Sequence, residues 1–153
     1  MTYTIKIDDL SDLRVVQFLA EHIADMRSAS PPESKHVLDL EGLKKPDVTF
    51  WSVWLDDELV ACGAIKRLSA THAELKSMRT SAGHRGAGIG TMLVQYIIGA
   101  ARQRGFRRIS LETGAAAFFE PARALYRKNG FEYCPPFDGY RMDPNSVFMT
   151  REI

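Results

Sequence analysis

The chain has 153 residues, of which 45% are hydrophobic and 25% charged, with a formal net charge of +1. That length suits one domain, 1–153, with a sizeable core. The near-zero charge gives no electrostatic case for nucleic acid or an anionic membrane, and no apolar run approaches the ~20 residues of a membrane span. Two cysteines, Cys62 and Cys134, make no disulfide framework, and the N-terminus lacks a signal-peptide core, so a cytoplasmic location is the default expectation.

Thr2 to Ile7 alternates and predicts a strand. Ser11 is the expected N-cap of a helix with Leu13, Val16, Leu19, Ile23 and Met26 on one face. Ser30-Pro31-Pro32-Glu33 reads as a capping box. The helix it opens carries Val37, Leu40 and Leu43 and ends before Pro46. Val48 to Leu55 predicts a strand with Trp51 and Trp54 on opposite faces, one in the core and the other free to wall a pocket. Asp56-Asp57 turns the chain into a partner strand, Leu59 to Leu68. Gly63 within it predicts a bulge or a close approach. Cys62 reads as a small buried hydrophobe.

His72 to Thr80 is the next strand, and Arg85-Gly86-Ala87-Gly88-Ile89-Gly90-Thr91 is a glycine-rich turn opening a helix. Backbone amides on such a turn, with a helix N-terminus behind them, suit a phosphate or pyrophosphate. The turn is no Walker loop, since Thr91 and Met92 follow Gly90 where Lys-Ser/Thr is needed. It is no dinucleotide fingerprint, since the third glycine position is Thr91 or Leu93. Met92, Leu93, Tyr96, Ile97 and Ala100 recur at helical period, and Gly105 ends the helix. Arg107 to Thr113 predicts a strand. A second helix has Pro121 near its start, Ala122 and Leu125 inward, and Gly130 at its end. A loop from Pro135 to Ser146 precedes a last strand, Val147 to Ile153.

Arg85-x-x-Gly88-x-Gly90 resembles the pyrophosphate loop of the GCN5-related N-acetyltransferases (GNAT), and Ala122-x-x-Leu125-Tyr126-x-x-Asn129-Gly130-Phe131 resembles their second hallmark. The resemblance implies a mixed, mostly antiparallel α/β sheet of six or seven strands, flanked by helices, with two splayed parallel central strands. It implies acetyl-CoA as co-substrate, with its pantetheine arm between His72–Thr80 and Arg107–Thr113. Backbone contacts to the arm then fall to Met78 and Thr80. The pyrophosphate falls to Arg85, Gly86, Ala87, Gly88, Ile89, Gly90 and Thr91. One departure is Phe119, which stands where many members have an arm-binding Asn. The acceptor implied is a small-molecule or peptide amine, bordered by the segment carrying His36 and Asp39. Self-association as a homodimer is compatible with the family.

Acetyl transfer needs a base, because an amine is mostly protonated at neutral pH, and an acid for the departing thiolate. Glu74, eleven residues before Arg85, is the candidate base. Alternation puts it on one face with Lys76, Met78 and Thr80 if no bulge intervenes, and the resemblance implies a bulge near Met78. Beside Lys76 it is equally readable as an ion pair. Glu112, or a water held by either carboxylate, competes for the role. Tyr126 is the candidate acid. Phe137, Tyr140 and Arg141 make the last loop either an acceptor lid or a hairpin with an aromatic plug. His22, His36, His72 and His84 show no metal-ligand spacing, and no His lies near Cys134 to support an acyl-enzyme route. A non-catalytic acyl-CoA sensor and a nucleotide-binding module are the alternative functions.

Overall fold

The computed structural model describes residues 2–29 and 40–153. Among them, seven strands form one sheet: β1 (Tyr3–Ile7), β2 (Val48–Leu55), β3 (Glu58–Arg67), β4 (His72–Thr80), β5 (Arg108–Gly114), β6 (Glu132–Cys134) and β7 (Ser146–Glu152). Their order is β1-β2-β3-β4-β5-β7-β6, and β4–β5 is the parallel pair among antiparallel neighbours. The helices are α1 (Leu13–Ala29), α2 (Leu40–Leu43), α3 (Ile89–Gln103) and α4 (Glu120–Lys128). The mixed sheet flanked by helices agrees with the sequence reading, and β6 is a strand that reading did not name. The capping box at Ser30 and the candidates His36 and Asp39 lie outside the described residues.

Helices cover both faces because the strands alternate. On one face Trp51, Val53, Ile65, Leu75, Ile109 and Leu111 pack with Leu93, Val94 and Ile97 of α3 and Tyr126 of α4. On the other, Phe50, Trp54, Cys62 and Ala64 pack with Val15, Phe18 and Leu19 of α1. Both tryptophans are core residues. Trp51 is 1% exposed and Trp54 5%, one in each layer. Trp54 donates its indole N–H to Ser52 and lies under the charges of Lys6 and Arg14.

The helix ends follow from local hydrogen bonding. Asp12, not Ser11, caps α1: its carboxylate accepts the Arg14 amide at 2.8 Å, while the Ser11 hydroxyl is taken by Asp9 at 2.6 Å. At the far end of α3, Gly105 has φ +86°; its amide donates to Arg102 and that of Phe106 to Ala101. The same Schellman pattern closes α4: the amides of Gly130 and Phe131 donate to Arg127 and Tyr126.

The centre of the sheet is irregular in two linked ways. Cys62 pairs with Arg79 and Ala64 with Lys76, so Ser77 and Met78 together face Gly63. Ser77 takes φ +57° at this bulge. Gly63 meets both sequence expectations, since a Cβ there would lie 2.5 Å from Met78 Sδ and 3.1 Å from Ile97 Cδ1. The bulge that the resemblance implied near Met78 is present, and it breaks the simple alternation. Glu74 and Lys76 share a face, but Met78 packs with Leu75 and α3 on the opposite one. Arg79 instead reaches α1, bonding Asp25 at 2.6 Å and lying over Phe18.

The second irregularity is the splay. β4 pairs with β5 only at His72↔Arg108, Ala73↔Ile109 and Glu74↔Ser110. Beyond that point β4 runs on to Thr80 and β5 to Gly114 without pairing to each other, while β5 stays zipped to β7. Phe119 packs on the end of β5, where a Cβ on Gly114 would overlap its ring. Gly114→Ala is therefore expected to destabilise the fold by about 1–3 kcal/mol in urea titrations, because a rigid ring at 4% exposure has nowhere to retreat.

Candidate active site

The glycine turn sits at the open end of the splay. A short 3-10 turn (Ala82–His84) links β4 to it, and the Arg85 guanidinium donates to the Thr80 carbonyl at 3.2 Å, bracing the link. Gly86 has φ +85° and Gly88 φ +83°, and a Cβ on either would meet nothing within 4 Å. Both therefore serve the backbone path and leave the surface above it bare. Gly90 does something else. It is helical, and its Cβ position lies 3.1 Å from Leu125, so it lets α3 pack close to α4. Gly88 is the N-cap of α3 and offers no side chain, so the first-turn amides have neither an intrahelical acceptor nor a side-chain cap. An anionic diphosphate fits such a turn.

Glu74 is at the fork, in the last parallel pair, and is 2% exposed. Lys76 Nζ donates to its Oε2 at 3.0 Å, and the Tyr140 hydroxyl donates to the same oxygen at 2.6 Å. Lys76 also donates to the Tyr140 oxygen at 3.1 Å, closing a triangle. Tyr140 comes from the loop between β6 and β7. Its ring packs against Phe137 at 5.3 Å and Phe148 at 5.6 Å, and Phe137 touches His72 at 5.9 Å. This loop covers Glu74 with an aromatic cluster, while Arg141 points to solvent. Burial, and then the bond to Glu74, raise the Tyr140 hydroxyl well above the usual phenol range, so it stays a proton donor.

The same face of β5 continues the polar layer. Ser110 lies 2.7 Å from His72 Nε2 and 2.8 Å from Thr150, and Ser146 donates to Glu112 at 2.9 Å. Burial, then the Arg108 charge, lower the His72 pKa, which favours the neutral ring.

Tyr126 lies on the other side of the sheet, among the α3 core residues, at 7% exposure. The Schellman turn sets it in place, because the bond from Phe131 to the Tyr126 carbonyl brings the two rings to 5.8 Å. Burial raises its hydroxyl far above the phenol range. Glu74 and Tyr126 thus lie on opposite faces of the sheet. Arg123, which the sequence reading passed over, ties α4 to the tip of β5 by donating to the carbonyls of Gly114 and Ala116. Its only sequence signal is a charge inside an otherwise apolar helix stripe. Among the described residues no cluster of three or more His, Cys, Asp or Glu could hold a metal, and no helix is long and apolar enough to cross a membrane.

A glycine turn at a helix N-terminus, beside two parallel strands that part company, defines an acyl-CoA-using transferase fold. Residues 11–131 match the model of the Acetyltransferase (GNAT) family, and the chain belongs to that family of acetyl-CoA-dependent N-acetyltransferases. It is 54% identical over 149 residues to the uncharacterized N-acetyltransferase YsnE of Bacillus subtilis, covering 97% of this chain and 99% of that protein. Among solved structures it resembles an inferred acyl-CoA N-acyltransferase from Klebsiella pneumoniae, with TM-score 0.84, 30% identity, and 99% and 97% of the two chains covered. It also shares the fold of a GNAT family acetyltransferase from Elizabethkingia anophelis with acetyl-CoA bound, at TM-score 0.66, 15% identity, and 99% and 98% coverage.

A histidine on α1, outside this site, makes stability depend on pH. Burial, then the Arg79 charge, lower the pKa of His22 on α1 from 6.5 to about 4, against an opposing pull from Asp25. A depressed folded pKa means that the stabilisation is complete above 6.5 and is lost as pH falls towards about 4. Urea midpoints at about pH 7 and pH 4.5 should therefore diverge less in His22→Gln than in the parent, by roughly 1–2 kcal/mol.

Proposed function

We propose that the protein moves the acetyl group of acetyl-CoA to a primary amine of a small molecule or peptide by direct attack within a ternary complex, with residues 1–153 acting as one catalytic domain. The observation that carries this reading is the parting of β4 and β5 immediately after Glu74↔Ser110, with the bare glycine turn at its mouth. Backbone from Met78 to Thr80 lies along the gap and suits a pantetheine arm, which pairs as an added strand would. The amides of Arg85 to Thr91 suit the diphosphate. When bound, the thioester supplies the activated acyl carbon.

In this reading Glu74 accepts the proton that the acceptor ammonium must lose. It is preferred to Glu112 because it stands in the last parallel pair, with its carboxylate already engaged by an amine and a phenol. Tyr126 supplies a proton to the departing sulfur from the other face. Its hydroxyl is protonated at neutral pH, as a group that gives a proton to the sulfur must be. Phe119 packs on Gly114 and offers the arm an apolar neighbour at most. Direct transfer is favoured over a Cys134 acyl-enzyme because burial raises that thiol above its usual value, leaving little thiolate. Cys62, pushed up to about 12 by burial, is still less reactive.

Thiol release from acetyl-CoA with a panel of amines tests the reading. Turnover with at least one amine is expected; cofactor binding without any release would favour an acyl-CoA sensor. Tyr126→Phe and Glu74→Gln should each lower kcat roughly 10²-fold or more while sparing acetyl-CoA affinity. Unchanged turnover would remove the residue concerned from its role. Gly88→Glu should abolish acetyl-CoA binding, because it adds like charge at the turn and strains a positive φ. To separate the two effects, Gly88→Asn, which tolerates that conformation, should retain binding.

A further inference from the structure

Lys76 brings a primary amine into the site on the chain itself. Its Nζ lies 3.0 Å from Glu74 Oε2 and 3.1 Å from the Tyr140 hydroxyl, and its side chain is only 9% exposed. In register it stands past Glu74↔Ser110, so its backbone already borders the opening between β4 and β5. An amine held in this way needs no bimolecular encounter with the base, which removes much of the entropic cost of reaction.

We propose that Lys76 is a self-acylation site, taking the acetyl group of acetyl-CoA when no free amine competes for Glu74. The proposal rests on the roles given above to Glu74 and to the gap. The Lys76 ammonium passes one proton to the Glu74 carboxylate, and the neutral nitrogen attacks the thioester carbonyl carbon. The N–C bond forms and the C–S bond breaks. The sulfur leaves with the bonding pair and takes a proton from Tyr126, and the nitrogen's second proton restores the Tyr126 hydroxyl, giving the free thiol and a neutral amide. Glu74 returns its proton to solvent. The product amide keeps one N–H and no charge, so it can no longer form the ion pair with Glu74. Acceptor amine and Lys76 draw on one carboxylate, so a good acceptor suppresses the mark.

The test incubates the purified full chain with isotopically labelled acetyl-CoA and no amine, followed by intact mass and peptide mapping. One labelled acetyl group is expected at Lys76, appearing about tenfold or more faster than at the exposed Lys6, Lys44, Lys45 and Lys128. It should be lost in Lys76→Arg and slowed in Glu74→Gln. Thiol release to an added amine with Lys76 unlabelled would overturn self-acylation and leave the proposed function standing. Label spread over the exposed lysines would overturn it equally. Absence of both thiol release and coenzyme A binding would overturn the functional reading, and this inference with it.

Discussion

At Ser77 the backbone of β4 turns into the left-handed region, and two of its residues face Gly63 alone. The rest of the site depends on that kink. An extra residue bends the strand it occupies and sharpens its twist. Here the bent strand is the one whose parallel ladder with β5 ends at Glu74↔Ser110. The kink also reverses which side chains face which layer. Met78 is sent into the α3 core and Arg79 towards α1, while Glu74 and Lys76 remain beneath the Tyr140 loop.

Rigid neighbours hold this arrangement open. Gly63 leaves room for Met78 against Leu93 and Ile97. Arg79, at 10% side-chain exposure, fastens the bent strand to α1 through Asp25. Among the described residues its Nε has no hydrogen-bond partner. Arg123 and the ring of Phe119 fix the tip of β5. A gap lined by backbone is unfavourable unless something else fills its hydrogen-bonding capacity. In the proposed function a thioester carrier whose arm pairs like a strand takes that place.

The two helix termini beside the gap are built by different glycines. Gly86 and Gly88 are required by positive φ, Gly90 by the close approach of α4, and Gly130 by the turn that aligns Phe131 with Tyr126. One short motif therefore combines a chain path, a bare surface and a helix contact, three separate constraints that look alike as letters.

Much of this was legible in the chain alone. Strand alternation, helical period and the stops at Gly105 and Gly130 are local properties, set by backbone sterics and burial within one element. They were enough for the individual strands and helices and for the glycine turn, whereas the mixed sheet and the place of Tyr126 were implied by the family resemblance. Ser11 was misread as the cap because Ser and Asp both accept N-terminal amides, and only the geometry selects Asp12. The face of Glu74 relative to Met78, the closure of Tyr140 over Lys76, and the exact pair at which β4 leaves β5 were decided by tertiary structure. Each joins residues far apart in sequence: Tyr140 is 66 positions from Glu74. A bulge of one residue inverts every later side chain, and periodicity cannot say where the extra residue falls, because that is settled by what packs on the other side.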